Sequence, residues 1–224
     1  MSESAPIRQT TVPSTQNDDD RPSRGRPRDV EKNSAIVEAA SLLFLEQGFD
    51  GTSMDEVAKR AGVSKQTVYS HFSSKEQLFS HVIKVTIEEY YPDAALASVE
   101  HHTLEADLLA VAETYVRLLM SDKAIGMHRV LVAAAPKGTG FAQMFWQAGP
   151  EEMTIKLCEF LQSWVDKGEL AITDLEKAGG RFITLLKGKL HFSLEIGLIS
   201  SVTDEDMKEQ ARDAVDCFLK IYRA

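Results

Sequence analysis

The chain has little of what holds proteins together outside a reducing compartment or fixes them in a bilayer. Its 224 residues include two cysteines, Cys158 and Cys217, too few for a disulfide framework and not in a Cys-x-x-Cys pair, so a cytoplasmic setting is expected. No run approaches the roughly 18 apolar residues that cross a membrane, and the polar N-terminus lacks the apolar centre of a signal peptide. No membrane partner is expected. A Gly-rich phosphate loop, a nucleophile elbow and a paired-carboxylate signature are also missing, which leaves no basis for an enzyme or a cofactor. Positive charge is scarce too: 25 Lys and Arg stand against 34 Asp and Glu, a formal charge of −9. That excludes a protein that coats a polyanion with its whole surface, so any nucleic-acid contact has to be local.

What is present is an ordinary globular composition, 43% hydrophobic and 26% charged. The charge is uneven. Residues 21–75 carry nine basic and seven acidic side chains, whereas residues 81–224 carry fifteen basic and twenty-two acidic. An acidic body with one locally basic segment suits a protein of which a small part meets nucleic acid.

Residues 1–23, rich in Ser, Thr, Gln, Pro and Asp, cannot offset the entropy of ordering and read as a disordered tail. From about Asp29 the period is helical. Ile36, Ala39, Ala40, Leu43 and Phe44 share one helix face, and Gly48 ends it, with Phe49 folding back on the last turn. Thr52-x-x-Asp55 and Ser53-x-x-Glu56 are alternative capping boxes for a second helix that ends at Ala61-Gly62-Val63. Ser64 caps a third from Lys65 to about Phe72, and Ser73-x-x-Glu76 is the expected box of a fourth. Further helices follow at roughly 103–120, 123–135, 140–147, 150–167, 173–197 and 203–222, without strand alternation or repeats. The fold class is therefore all-α, with short helices over residues 24–83 and helices of ordinary length over 84–224.

Helix, glycine turn and helix at 53–72 form a candidate helix-turn-helix, in which the second helix enters the major groove. Lys65, Gln66, Thr67, Ser70 and His71 lie away from Val68 and Phe72. Gln66 can pair bidentately with adenine, Lys65 can reach guanine, and the Thr67 methyl can touch that of thymine. The helix start at Thr52/Ser53, Tyr69 and Lys75 are suited to phosphate.

The run 52–78, TSMDEVAKRAGVSKQTVYSHFSSKEQL, closely resembles the DNA-binding domain of the tetracycline-repressor (TetR) family. Ala39-Ala40, Phe44, Gly48-Phe49, Ala61-Gly62-Val63-Ser64, Thr67-Val68-Tyr69 and Lys75-Glu76-Gln77-Leu78 carry the likeness, which spans about residues 29–83. The resemblance implies a ligand-responsive repressor that binds a palindromic double-stranded DNA operator as a homodimer, with a helix-turn-helix DNA-binding domain over residues 24–83 and, over 84–224, a helical regulatory domain that dimerises and often holds a small-molecule pocket. It also implies Lys65, Gln66, Thr67 and His71 as base-facing positions, and Thr52, Tyr69 and Lys75 as phosphate contacts. At His71 the chain departs from the tyrosine of many members. Just upstream, Arg24-Gly25-Arg26-Pro27-Arg28 resembles the centre of an AT-hook, an extended strand that sets arginines such as Arg24 and Arg26 in a narrow minor groove. An activator, an effector-free regulator, or a helical adaptor with a vestigial helix-turn-helix would share these patterns.

Two further expectations concern the C-terminal part. Phe182, Leu186, Leu190, Ala211, Val215, Phe218 and Tyr222 recur at helical spacing on the last two helices and read as the dimer interface. Met120, Met127, His128, Phe141, Phe145, Trp146, Phe160 and Trp164 read as the lining of a pocket for a small apolar or amphipathic effector. His101-His102 with Glu105 has no third ligand nearby and reads as a solvated helix surface, so no metal site is expected.

Overall fold

The computed structural model describes residues 26–90, 103–137 and 139–224. Among them there are helices and no strand, only an isolated antiparallel bridge between Leu170 and Arg223. The expected tail at 1–23 and His101-His102 lie outside the described residues.

Four helices make the N-terminal unit: α1 (Arg26–Gly51), α2 (Met54–Ala61), α3 (Lys65–His71) and α4 (Lys75–Tyr90). Ile36, Ala40 and Phe44 of α1 are fully buried, as the period requires. Gly48 bends the chain as expected, at φ 75°, a conformation that glycine adopts without a Cβ penalty. One more helical turn follows it to Gly51. Phe49, just past the bend, sits 5.9 Å from Phe44 and 5.3 Å from Phe79 between ring centroids. Of the two alternative capping boxes, the structure forms Ser53 with Glu56. At α4 the cap lies one residue later than the expected Ser73 box. Ser74 Oγ accepts from Gln77 N, while Gln77 Oε1 accepts from Ser73 N.

The C-terminal unit comprises α5 (Leu104–Leu119), α6 (Asp122–Ala134), α7 (Thr139–Gln147), α8 (Pro150–Asp166), α9 (Leu175–Glu195) and α10 (Asp204–Tyr222), with a 3-10 turn over Ala135–Lys137. All begin and end within two residues of the expected bounds. Leu108, Val116, Leu157, Leu161, Phe182, Leu186 and Phe218 form the solvent-free centre, each contributing roughly 1.5–3 kcal/mol by leaving water.

This core corrects the expected dimer surface. Phe182, Leu186, Ala211 and Phe218 are fully buried, and Val215 and Tyr222 nearly so, within the single chain; Leu190 is half-buried against the same core. The reason is packing: α9 and α10 lie on each other and on α5, and α9 also lies on α8, so their apolar stripes meet inside one subunit. The exposed large apolar side chains here are Ile155 of α8, Phe192 of α9, Ile196 and Leu198 just after α9, and Ile221 of α10.

Two features place the candidate sites. α4 crosses the expected domain boundary at 83/84 without interruption. Its Leu78, Phe79, Val82 and Ile83 belong to the N-terminal core, Ile87 packs on both cores, and Tyr90 packs on the C-terminal one. α9 is broken at Gly188 (φ 49°, ψ −156°). There Gln210 Nε2 of α10 donates 2.8 Å to the Leu185 carbonyl, a partner supplied from outside the helix where the ladder is interrupted.

Candidate nucleic-acid interface and ligand cavity

The turn between α2 and α3 is built by Gly62, whose φ of 66° and ψ of 29° are left-handed. Gly62 N donates to Lys59 O and Val63 N to Ala58 O, the paired bonds that end a helix sharply. Ser64 then caps α3, its Oγ accepting from Thr67 N at 3.1 Å. Val68 and Phe72 are buried, and this inner face presents Lys65, Gln66, Tyr69 and Ser70 to solvent. A bidentate Arg60–Glu46 pair ties α2 to α1. The guanidinium hydrogen bonds hold the Glu46 carboxyl below its usual range.

Several residues expected at the DNA surface do other work. Thr52 is 2% exposed, and its hydroxyl donates to the Gly48 carbonyl at 2.9 Å, so it fastens the α1 bend and cannot reach phosphate. Lys75 Nζ donates to the carbonyls of Phe49 (2.7 Å) and Thr52 (2.9 Å) and stands 4.5 Å from the Phe49 ring centroid. Its charge closes the end of α1. His71 faces inward, with a side chain 12% exposed and Nε2 3.3 Å from Asp29 Oδ1 of α1, and does not share the outer face of Gln66. Lys65 is exposed but pairs with Asp55 at 2.8 Å, a hydrogen bond that raises its pKa. Asp55, read from the sequence only as part of an alternative capping box, was not anticipated as a partner of Lys65; it stands in the first turn of α2.

Arg24 lies outside the described residues. Arg26, Pro27 and Arg28 begin α1, so this part of the Gly-Arg-Pro segment is helical and not the extended strand of an AT-hook. Proline suits a first helical turn, where its missing N–H has no partner to lose.

Between the two units lies a cavity of about 520 Å³, within the range of small-molecule sites. α4 gives it Ile83, Thr86 and Ile87; α5 gives Tyr115; α6 gives Met127, His128 and Leu131; α7 gives Phe145 and Trp146; α8 gives Met153; α9 gives Ile183, Lys187 and His191. Four of the eight expected lining residues, Met127, His128, Phe145 and Trp146, are among them. Met120 and Trp164 are instead buried in the C-terminal core, and Phe160 packs against it. Phe141 lies 4.9 Å from both Phe49 and Phe79, in the aromatic cluster of the N-terminal unit. Apolar character alone cannot distinguish a wall from a core, because both exclude water.

The cavity is polar at one end. His128 Nδ1 donates to Glu195 Oε1 at 2.9 Å, and Arg129 donates to the Leu194 and Glu195 carbonyls. His191 is 5% exposed; its ring lies 5.6 Å from that of His128, edge to face. Burial, with the nearby Lys187 and His128, pushes its pKa down to about 4. Lys187 and His191 were missed by sequence reasoning. Their signal was two ionisable side chains four residues apart in a helix that is apolar nearly all round.

Residues 36–82 match the family described as bacterial regulatory proteins, tetR family, and residues 106–224 match the AefR-like transcriptional repressor C-terminal domain. The chain belongs to the TetR family. TetR-family proteins are DNA-binding transcriptional regulators and not enzymes. Among solved structures, a putative TetR-family regulator from Mesorhizobium loti MAFF303099 is 26% identical, with a TM-score of 0.73 over 88% of this chain and 99% of that one. The flavonoid-responsive regulator FrrA is 31% identical, with a TM-score of 0.69 over 87% of this chain and 98% of its own. The uncharacterized HTH-type transcriptional regulator YdeS of Bacillus subtilis (strain 168) is 29% identical over 77% of this chain and 83% of that protein. Among the described residues no helix is long and apolar enough to cross a membrane, and no group of His, Cys, Asp and Glu could hold a metal.

Proposed function

We propose that this protein is a cytoplasmic, ligand-responsive repressor that binds a palindromic operator as a homodimer. The observation that carries the reading is α4: one continuous helix contributes Phe79 to the core under the reading helix and Ile83, Thr86 and Ile87 to the cavity wall. A molecule that fills the cavity bears directly on a helix that positions α3. Lys65, Gln66, Thr67 and Tyr69 read or grip the duplex, on a frame set by Ser64, Thr52, Lys75 and His71. Repression is supported by the AefR-like repressor domain, and a small-molecule effector by FrrA, which is named for its response to flavonoids. A second copy would cover the exposed apolar side chains at the end of α9 and just after it, Phe192, Ile196 and Leu198, of the kind that marks association surfaces. It would also supply the second half-site that one short recognition helix requires.

Gel-shift titration with the promoter region beside the protein's own coding sequence tests this. Binding with two-fold stoichiometry, protection of an inverted repeat, and release by a cavity ligand are expected. Failure to select any inverted repeat from genomic DNA would overturn it.

A further inference from the structure

The cavity carries more than an apolar shape. His191 is nine-tenths buried, yet among the described residues neither ring nitrogen has a hydrogen bond: its closest partner, Glu195 Oε2, lies 3.7 Å from Nδ1. A buried polar group left without a partner costs about 1–3 kcal/mol and calls for an explanation. Four residues earlier Lys187, half-buried at the same wall, has no ion pair among the described residues. Glu195 is the nearby anion, and its carboxylate already accepts from His128.

These groups favour one head-group chemistry. The neutral imidazole with its proton on Nδ1 avoids setting a lone pair against the Glu195 carboxylate, and so leaves Nε2 as an acceptor. Lys187 supplies donors only. A single ligand atom that both donates to Nε2 and accepts from Nζ is a hydroxyl oxygen, and the neighbouring cation favours an acidic hydroxyl. A carboxylate satisfies only the lysine, and a quaternary ammonium satisfies neither. The remaining wall, with Phe145, Trp146 and Tyr115, offers flat faces to rings.

We propose that the cavity binds an aromatic molecule through a phenolic hydroxyl held between His191 and Lys187. This rests on the effector reading above and names its ligand class. Gly188 lies between the two anchors at the break in α9, so both flank the point where that helix bends.

The test is a titration of the full-length protein with 4-phenylphenol, 4-methoxybiphenyl and biphenyl-4-carboxylate, followed by calorimetry and by tryptophan fluorescence, since Trp146 lines the cavity. The phenol is expected to bind about tenfold more tightly than its methyl ether, the worth of one hydrogen bond involving a charged or buried partner. His191→Phe and Lys187→Met are each expected to erase that difference while the ether binds as before; Lys187→Met serves if His191→Phe does not fold. Equal binding of phenol and ether, or tightest binding of the carboxylate, would overturn the phenol assignment and leave an effector cavity standing. If no biphenyl binds or shifts melting, and none releases operator DNA, the assignment and the effector reading fall together.

Discussion

The reading head and the cavity solve opposite problems. On α2 and α3 the polar groups close on partners within the head itself: Ser53 on Glu56, Ser64 on Thr67, Lys65 on Asp55, Arg60 on Glu46. The head is complete without DNA, and its outer face is preformed. The cavity is drawn from six helices between Ile83 and His191, and holds a buried imidazole that has no hydrogen bond among the described residues. The contrast teaches that a surface which grips a polymer already solvated by water can afford to be finished in advance, whereas a site that senses a small molecule keeps an unmet demand for it.

The largest expected effect lies under the head. Phe79 is fully buried and meets Phe44 at 5.1 Å, edge to face. Phe79→Ala is expected to lower stability by about 3–5 kcal/mol in urea unfolding; a loss under about 1 kcal/mol would show that the head does not lean on this cluster. Next is the outer face. Gln66→Ala is expected to weaken operator binding by about 1–3 kcal/mol in fluorescence anisotropy and to leave the melting temperature unchanged. A fall in melting temperature would make Gln66 structural and blur the distinction between the two regions.

A pH profile probes the cavity. His191 titrates near 4 in the folded protein and near 6.5 unfolded, so the unfolded chain binds the extra proton between these values. Its contribution is fully present above about pH 6.5 and is lost as pH falls through about 4, by on the order of 2 kcal/mol. The charged and titratable groups that face it are Lys187, His128 and Glu195. The slope is expected in the wild type and not in His191→Gln; parallel profiles would refute the assignment to this side chain. The smallest effect is at the exposed Lys65–Asp55 pair. Asp55→Asn is expected to tighten operator binding a few-fold at low salt, fading at high salt. No change at low salt would mean that Lys65 is already free to meet the duplex.

Most of the head was legible because its determinants are local. Glycine at 62, serine at 64 and the spacing of Val68 and Phe72 specify a turn and a face with no knowledge of the rest of the chain. What escaped were second partners: the hydroxyl of Thr52 and the ammonium of Lys75 suit phosphate by chemistry, but only the fold shows that backbone carbonyls already hold them. In the C-terminal unit the helices could be placed within two residues, yet not their facing. Phe182 and Phe218 have the right period for a seam between subunits and equally for one within a subunit. The choice is made by α5 and α8, whose approach to α9 and α10 the period does not encode.

The continuity of α4 has a consequence for how the molecule comes apart. A helix anchored by Phe79 in one core and by Tyr90 against the other cannot unravel at one end without stripping side chains from the opposite core. Heating is therefore expected to give one cooperative transition rather than two, with calorimetric and van't Hoff enthalpies in agreement.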